Sequence, residues 1–216
     1  MTTARISPPV VGVLAVQGAV AEHEHALERV GAAARRVRAA ADLDAVDALV
    51  VPGGESTTLR RVAGDSGLLD ALRDRVREGL PVLGTCAGLI ALADRIADGD
   101  PALVGGLDVT VRRNAYGRQT ASFEGAVDTE GLGDGPMHGV FIRAPRIERV
   151  GPSARVVAWH AGEPVAVAQG DLLGTAFHPE LTDDDRMHAW IADRARARRA
   201  RGAVHTNEET DGVRAQ

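Results

Sequence analysis

The sequence contains no lysine, and all 25 of its basic residues are arginine. A lysine nucleophile, or a cofactor held as a Schiff base on lysine, is therefore excluded. The basic residues do not outnumber the acidic ones either, since the formal net charge is −5. A negative balance argues against nucleic acid as the principal partner.

Cysteine and aromatic residues are scarce as well. The single cysteine, Cys86, excludes an internal disulfide and favours a reduced, cytoplasmic setting. Aromatic residues make up only 3% of the chain, so the core must consist of Val, Leu, Ile and Ala. No apolar run reaches the length of a membrane span, and residues 1–9 lack the pattern of a signal peptide. These absences predict a chain without membrane contact.

Short apolar runs in the first half of the chain predict buried strands, notably residues 10–16 and 48–51. Unbroken runs of this kind are typical of parallel strands that helices cover on both faces. From residue 107 onwards the runs are shorter and separated by Gly, Pro and charge, which predicts antiparallel strands packed on the same sheet. We expect an open three-layer α/β sheet, mostly parallel, with added antiparallel strands in the second half.

The predicted organisation is a single domain over residues 10–200. A flexible N-terminus over residues 1–9 precedes it. The last helix is predicted over residues 184–199, and residues 201–216, which are polar and without periodicity, are expected to form a disordered tail.

The segment Gly84-Thr85-Cys86-Ala87-Gly88 connects a predicted strand to a predicted helix over residues 89–97. A strand that turns into a helix within one residue leaves no room for a Cβ beside the turn, which explains the two glycines. The position of Cys86 at a helix N-terminus favours its thiolate, the nucleophilic form. The alternative is a small buried cysteine without a reaction.

Two other strand ends carry candidate functional groups. The glycine pair Gly53-Gly54 presents backbone N–H groups that could stabilise an oxyanion, although a plain strand-to-helix turn is the alternative. In His178-Pro179-Glu180 an extended backbone would project His178 and Glu180 to the same side. A cysteine nucleophile needs a base, and the base needs an acceptor that fixes its tautomer, so these two residues suit those roles.

Three further features have competing interpretations. An arginine that ends an apolar strand, as Arg143 does, is suited to bind a substrate carboxylate, and Arg113 lies in a similar polar turn. Structural salt bridges are the alternative for both. Residues 22–25 alternate Glu and His, but the spacing does not fit a metal site, and we expect a solvated helix face there.

At these residues the sequence resembles the class I, triad-type glutamine amidotransferases, and among them the glutaminase subunits of pyridoxal 5′-phosphate synthases. The cysteine turn and His178-Pro179-Glu180 carry the resemblance to the class. More specific motifs carry the resemblance to the family; they are Leu14-Ala15-Val16-Gln17-Gly18 with Glu22-His23, Pro52-Gly53-Gly54-Glu55-Ser56-Thr57-Thr58, Arg113-Asn114 with Gly117-Arg118-Gln119, Ser122-Phe123-Glu124, Gly139-Val140-Phe141-Ile142-Arg143-Ala144-Pro145 and Phe177-His178-Pro179-Glu180-Leu181-Thr182. The likeness covers residues 10–199.

The resemblance implies hydrolysis of L-glutamine to glutamate and ammonia through a thioester on Cys86, without a metal or other cofactor. His178 is the base and Glu180 its orienter, and the N–H groups of Gly54 and Ala87 form the oxyanion hole. The residues it assigns to the glutamine pocket are Gly54, Glu55, Ser56, Arg113, Ile142 and Arg143.

The resemblance also implies a partner. In this family Gln17 lies at the contact with the synthase subunit, which combines the ammonia with ribose 5-phosphate and glyceraldehyde 3-phosphate, and docking activates the glutaminase. Two alternatives stay open at the level of sequence. One is a glutaminase that serves another synthase, and the other is a catalytically silent scaffold subunit.

Overall fold

A computed structural model describes residues 7–55, 58–61, 66–113 and 122–212 of the chain. Ser56, residues 1–6 of the predicted flexible N-terminus and the motif residues 114–121 lie outside the described ranges. Among the described residues, no helix is both long and apolar enough to cross a membrane.

The secondary structure alternates between strands and helices up to β4 and is mostly strand afterwards. The strands are β1 Val10–Leu14, β2 Ala33–Val37, β3 Ala48–Val51, β4 Val82–Thr85, β5 Ala93–Ile96, β6 Leu107–Arg112, β7 Ser122–Thr129, β8 Met137–Ile142, β9 Arg146–Val150, β10 Arg155–His160, β11 Glu163–Gln169 and β12 Leu172–Thr175. The helices are α1 Val20–Arg29, α2 Leu68–Arg77, α3 Ala87–Leu92 and α4 Arg186–Gly212. Ala40–Ala45 and Pro179–Leu181 form 3₁₀ turns, and residues 58–61 are helical.

Within the described residues, nine strands form one mixed sheet in the order β2-β1-β3-β4-β12-β11-β10-β7-β8. The pairs from β2 to β12 are parallel, and those from β12 to β8 are antiparallel. This division reproduces the predicted change from parallel to antiparallel strands along the chain, although the sheet has four pairs of each kind rather than mostly parallel ones. The α/β fold class is confirmed.

The helices cover both faces of this sheet. Strand β2 lies on one side of β1, whereas β4 lies beyond β3 in the opposite direction. Because crossovers between parallel strands are right-handed, α1 and α2 must lie on opposite faces. Helix α4 contacts α1, β1 and β3, so it joins the α1 layer. The result is the predicted three-layer arrangement.

The strand register determines where functional groups meet. Val51 of β3 pairs with Gly84 of β4, and Gly84 and Thr85 pair with Gly174 and Thr175 of β12. These three parallel strands therefore end at the same level. The loops that follow them leave the sheet at its C-terminal edge, which is the usual position of a site in open α/β folds.

The helix predicted over residues 89–97 is wrong beyond Leu92. Strand β5 starts at Ala93 and pairs with β6, and β6 pairs with β9 to complete a three-stranded sheet within the described chain. Asp94 also accepts a hydrogen bond from the N–H of Gly106 at 2.7 Å. These long-range contacts outweigh the local helix propensity of the segment.

Helix α4 also ends later than predicted. It continues to Gly212, so residues 201–212, predicted to belong to a disordered tail, are helical. An isolated Gly202 lowers helix stability but does not end a helix in a segment otherwise rich in Ala and Arg. The boundaries of the domain over residues 10–200 stay a prediction.

Candidate active site

Cys86 lies on the turn between β4 and α3. Its backbone φ of +51° is in a region that residues with a side chain rarely adopt, so the cysteine is held in a strained conformation. Its N–H donates to the carbonyl oxygen of Thr175 at 2.8 Å, which ties the turn to β12. The residue is 6% exposed, and its sulfur lies 3.8 Å from the carbonyl oxygen of Ile142.

Two glycines frame this turn because larger residues would not fit. A Cβ on Gly84 would lie 2.5 Å from the carbonyl oxygen of Gly88, and a Cβ on Gly88 would lie 2.0 Å from the carbonyl oxygen of Val51. Both neighbours are backbone atoms that cannot rotate away. The steric explanation of these glycines is confirmed.

His178 and Glu180 follow β12 and are buried. The expected extended backbone between them is wrong, because Pro179–Leu181 forms a 3₁₀ turn, for which proline is preorganised at the first position. The two side chains still meet, with 2.8 Å between Nδ1 of His178 and Oε1 of Glu180. This hydrogen bond fixes the ring and directs Nε2 away from the carboxylate.

Gly53 shows how closely the base and the cysteine are packed. A Cβ at this position would lie 2.4 Å from Cε1 of His178 and 3.2 Å from Cβ of Cys86. The structure therefore brings Cys86, His178 and Glu180 together at one point, as the sequence predicts.

The charges of His178 and Glu180 stabilise each other. Burial acts to lower the pKa of His178, but the contacts with Cys86 and Glu180 outweigh burial and raise that pKa to about 10. Burial acts to raise the pKa of Glu180, yet its hydrogen bond with His178 and the nearby ring of His23 hold that pKa well below its usual range. Glu180 is therefore ionised at neutral pH, and it stabilises the protonated imidazole.

A further layer of side chains lies behind Glu180. Nε2 of His23 is 3.5 Å from Oε2 of Glu180 and 3.4 Å from Oγ1 of Thr85. Nδ1 of His23 is 2.9 Å from Nε2 of His188, which comes from α4. Burial, together with the electrostatic effect of the neighbouring His23 ring, lowers the pKa of His188 to about 3. His188 is therefore neutral at physiological pH.

The prediction of a solvated helix face over residues 22–25 is wrong for His23, which is fully buried. A signal for this burial was present in the sequence. His23, Ala26 and Leu27 are the buried residues of α1, and their i, i+3, i+4 spacing is that of a helix face turned to the core. No comparable local signal identifies His188 as its partner.

A pocket opens in front of Cys86. Its lining consists of Gly54, Glu55, Cys86, Ile90, Arg113, Ile142, Arg143 and His178. All the predicted substrate-binding residues except Ser56, which lies outside the described residues, are in this set. Ile90 was not predicted, and it reaches the pocket because it lies on the first turn of α3 after the nucleophile.

The two predicted arginines differ in their partners. Nη2 of Arg113 lies 2.7 Å from Oδ2 of Asp100, and its Nε lies 3.3 Å from Asp98. Arg143 has a longer contact, 3.5 Å from Nη1 to Oε2 of Glu55, and its side chain is 60% exposed. The guanidinium of Arg143 is therefore held less tightly by protein carboxylates. Arg113 has short ion pairs, as expected if it forms structural salt bridges.

The predicted oxyanion donors flank the nucleophile in different ways. Ala87 is the first residue of α3, where the helix leaves its N–H groups without intrahelical partners. Gly54 has a φ of +140°, which favours glycine. Oε1 of Gln17 accepts the N–H of Glu55 at 3.1 Å, so Gln17 supports the loop that contains Gly54. The oxyanion roles and the interface role of Gln17 stay predictions.

A larger cleft of about 700 Å³ lies elsewhere, between residues 7–9 and helix α4. Its arginines are occupied, because Arg196 donates to the carbonyl oxygen of Val30 and Arg199 to that of Pro8, each at 2.9 Å. Pro8 precedes β1, so this cleft lies at the N-terminal ends of the parallel strands. Reactive groups in open α/β sheets gather at the other edge, and we assign the site to the pocket at Cys86.

Comparison with known proteins agrees with this geometry. Residues 13–196 match the SNO glutamine amidotransferase family. The chain is 57% identical over 194 residues to the pyridoxal 5′-phosphate synthase subunit PdxT of Streptomyces coelicolor, with 89% of this chain and 96% of that protein covered. It is 57% identical over 188 residues to the protein of the same name from Mycolicibacterium vanbaalenii, with 85% and 96% covered.

A solved structure provides an independent comparison. The crystal structure of a glutamine amidotransferase is 48% identical in sequence and superposes with a TM-score of 0.80, covering 86% of this chain and 98% of that one. The family match spans most of the chain, including the cysteine turn and His178-Pro179-Glu180. The chain therefore belongs to the SNO glutamine amidotransferase family.

Proposed function

We propose that this chain hydrolyses the side-chain amide of L-glutamine to L-glutamate and ammonia, with Cys86, His178 and Glu180 as the catalytic triad. One observation carries the assignment of the triad. It is the buried hydrogen bond of 2.8 Å between His178 and Glu180, beside a cysteine held on a strained turn. Membership of the glutamine amidotransferase family supports the reaction.

In the first half-reaction the thiolate of Cys86 attacks the amide carbon of glutamine and forms a tetrahedral oxyanion. The carbon–nitrogen bond then breaks while the imidazolium of His178 gives its proton to the leaving nitrogen. Ammonia departs, and the glutamyl group remains as a thioester on Cys86. Glu180 holds the tautomer of His178 throughout and stabilises its positive charge.

The second half-reaction reverses the proton transfer. His178 takes a proton from water, and the resulting hydroxide attacks the thioester carbonyl carbon. The carbon–sulfur bond breaks, glutamate is released, and the thiolate of Cys86 is restored beside the protonated His178. The N–H groups of Gly54 and Ala87 stabilise the oxyanion formed in each half.

Substrate binding follows from the charges at the pocket. The exposed guanidinium of Arg143 is suited to bind the α-carboxylate of glutamine through charge-assisted hydrogen bonds. Glu55 lies beside it and is suited to bind the α-amino group, since it carries the opposite charge. Together they select an amino acid rather than a simple amide.

The ammonia is used by a second protein. The named relatives are pyridoxal 5′-phosphate synthase subunits, and we infer that this chain is the glutaminase subunit of such a complex, delivering ammonia to the synthase subunit for vitamin B6 synthesis. Gln17, which supports the pocket loop, is the proposed contact with that subunit. A cytoplasmic location, where Cys86 stays reduced, is part of the same proposal.

The test is glutamate release from glutamine by the purified chain, with and without the cognate synthase subunit, and with Cys86→Ala as the control. Release that needs the partner and disappears in Cys86→Ala is the expected result. Labelling of the single cysteine by a glutamine-like chloroketone provides a second measurement. Absence of both release and labelling in the complex would favour a silent scaffold subunit.

A further inference from the structure

Two fully buried histidines, His23 and His188, have no role in the mechanism described so far. Their ring centroids are 5.2 Å apart, and they come from helices at opposite ends of the chain. Burying an imidazole costs free energy unless its nitrogens are paired. We therefore expect the ring nitrogens of both histidines to have hydrogen-bond partners.

The carboxylate of Glu180 is the partner that faces His23. Its Oε1 is bonded to His178, but its Oε2 is buried and makes no hydrogen bond to any described residue. The polar atom that faces Oε2 is Nε2 of His23, at 3.5 Å. A buried ionised carboxylate is strongly stabilised by a donor at each oxygen. His23 is the group in position to supply the second one.

The hydrogen on Nε2 of His23 depends on His188. A neutral imidazole has one donor and one acceptor nitrogen, and the bond made by one nitrogen decides the state of the other. If Nε2 of His188 donates to Nδ1 of His23 across 2.9 Å, then His23 must carry its hydrogen on Nε2. That hydrogen then lies between two acceptors, Oε2 of Glu180 at 3.5 Å and Oγ1 of Thr85 at 3.4 Å from Nε2, and the carboxylate is the charged one of the two.

The opposite arrangement is less favourable. Thr85 would then donate its hydroxyl hydrogen to Nε2 of His23 across 3.4 Å, and a ring lone pair would face the buried carboxylate. The Nδ1–H of His188 would also be buried, and this atom has no hydrogen-bond partner among the described residues. An unpaired buried donor and a repelled carboxylate each cost free energy.

We propose that His23 is a positioning residue of the triad, which holds the second carboxylate oxygen of Glu180, and that His188 selects the tautomer of His23 that can do so. This inference rests on the proposed glutaminase function. The trio is not arranged as a metal site, since no group of three or more His, Cys, Asp or Glu side chains in the described chain could hold an ion.

In this arrangement the orientation of His178 depends on three successive contacts: His178 with Glu180, Glu180 with His23, and His23 with His188. Held at both oxygens, Glu180 cannot rotate away from His178, and its negative charge stays beside the imidazolium that forms during the reaction. The chain also connects the site to α4, because His188 lies on that helix. Near its outer end Arg29 and Asp185 form an ion pair of 2.6 Å.

Two amide substitutions separate the roles of the ring nitrogens of His23. In His23→Gln the side-chain amide reaches the position of Nε2, so it can still donate to Glu180. In His23→Asn the amide reaches only the position of Nδ1, so the contact with His188 is kept and the donor to Glu180 is lost. Each variant is assayed for glutamine hydrolysis in the complex with the synthase subunit.

We expect His23→Gln to keep most of the activity. His23→Asn should lower kcat by about 10-fold to 100-fold, less than the 10²–10⁴ that a general base contributes, with KM for glutamine unchanged. Without the donor the carboxylate of Glu180 is less stabilised, so the acid limb of the kcat/KM profile should move to higher pH in His23→Asn alone. The other titratable groups of this cluster are unchanged in both variants: His178, which contacts the carboxylate directly, and His188, which contacts His23.

The variants His188→Gln and His188→Asn apply the same comparison to the contact between His188 and His23. They also provide a test if His23→Asn fails to fold. Gln at this position can still donate to Nδ1 of His23, whereas Asn cannot. A smaller loss of kcat in His188→Asn, with recovery in His188→Gln, is expected. Thermal unfolding of all four variants measures the purely structural contribution.

The inference would be overturned if the Gln and Asn variants had equal kcat values and equal acid limbs of the kcat/KM profile. This holds whether both variants match wild type or both lose activity in proportion to their thermal stability. That result differs from failure of the proposed function, in which the wild-type complex itself would release no glutamate from glutamine.

Discussion

The backbone N–H of Cys86 donates to the carbonyl oxygen of Thr175 at 2.8 Å. This bond continues the parallel pairing of β4 with β12, in which Thr85 pairs with Thr175. The turn of the nucleophile is thereby attached to the strand that leads into His178. Two groups that are distant in the chain are held at one edge of the sheet by backbone hydrogen bonds, which do not depend on side-chain flexibility.

Replacing Glu180 with Gln should keep the shape of the triad and remove its charge. The amide oxygen can still accept from His178, but the imidazolium loses its counter-charge. We expect kcat for glutamine hydrolysis to fall by about 10²–10⁴ with little change in KM. Glu163→Gln is the control, because Glu163 forms an exposed ion pair with Arg146 on the surface. Activity of Glu180→Gln within a few-fold of wild type would contradict the assigned role.

Arg143→Gln should weaken substrate binding rather than chemistry. Loss of a charge-assisted contact with the α-carboxylate costs about 1.5–3 kcal/mol, so KM for glutamine should rise by about 10-fold to 100-fold. Steady-state kinetics in the complex measure both parameters. Arg146→Gln removes a similarly exposed guanidinium and should leave KM unchanged. A fall in kcat at constant KM would assign Arg143 a different function.

Gly88→Ala should destabilise the fold. Its Cβ would lie 2.0 Å from the carbonyl oxygen of Val51, so β3 or α3 must move, and we expect a loss of roughly 3–5 kcal/mol, at the upper end of single substitutions. Gly202→Ala is the matched control, since a Cβ there meets nothing within 4 Å, and in a helix it should stabilise by up to about 1 kcal/mol. Urea denaturation compares the two, and equal free energies of unfolding would disprove the steric argument.

The pH dependence of stability should report on His178. Its pKa is raised from an ordinary value of 6.5 to about 10, so the folded chain holds this proton more tightly than the unfolded chain. The stabilisation is complete below pH 6.5 and is lost as the pH rises through about 10. We expect the free energy of unfolding to fall more steeply over this interval for wild type than for His178→Gln. Parallel curves in urea denaturation would show that His178 titrates without a folding-dependent shift.

Much of the fold could be predicted because its signals are local. Apolar runs predicted β1, β3, β4 and the strands of the second half other than β9, and the glycines around Cys86 predicted the tight turn. The errors arose where long-range pairing overrides local preference. The segment after Leu92 has helix-forming composition, yet it becomes β5 because β6 provides a partner for it.

The candidate site shows the same division. Cys86, His178 and Glu180 could be chosen from their motifs alone, and His23 could have been placed on a buried helix face from its spacing with Ala26 and Leu27. Nothing in the sequence near His188 indicates its contact with His23, because a hydrogen bond across 165 positions leaves no local pattern.

By itself, then, the sequence determined which chemical groups the protein has and which backbone turns it can make, since residue type and short-range spacing decide both. Only the tertiary structure decided that β12 lies beside β4, that Glu180 folds back on a 3₁₀ turn and that two histidines stand behind it. The physical reason is that strand order and core packing depend on contacts between distant segments, which form only when the whole chain closes around one core.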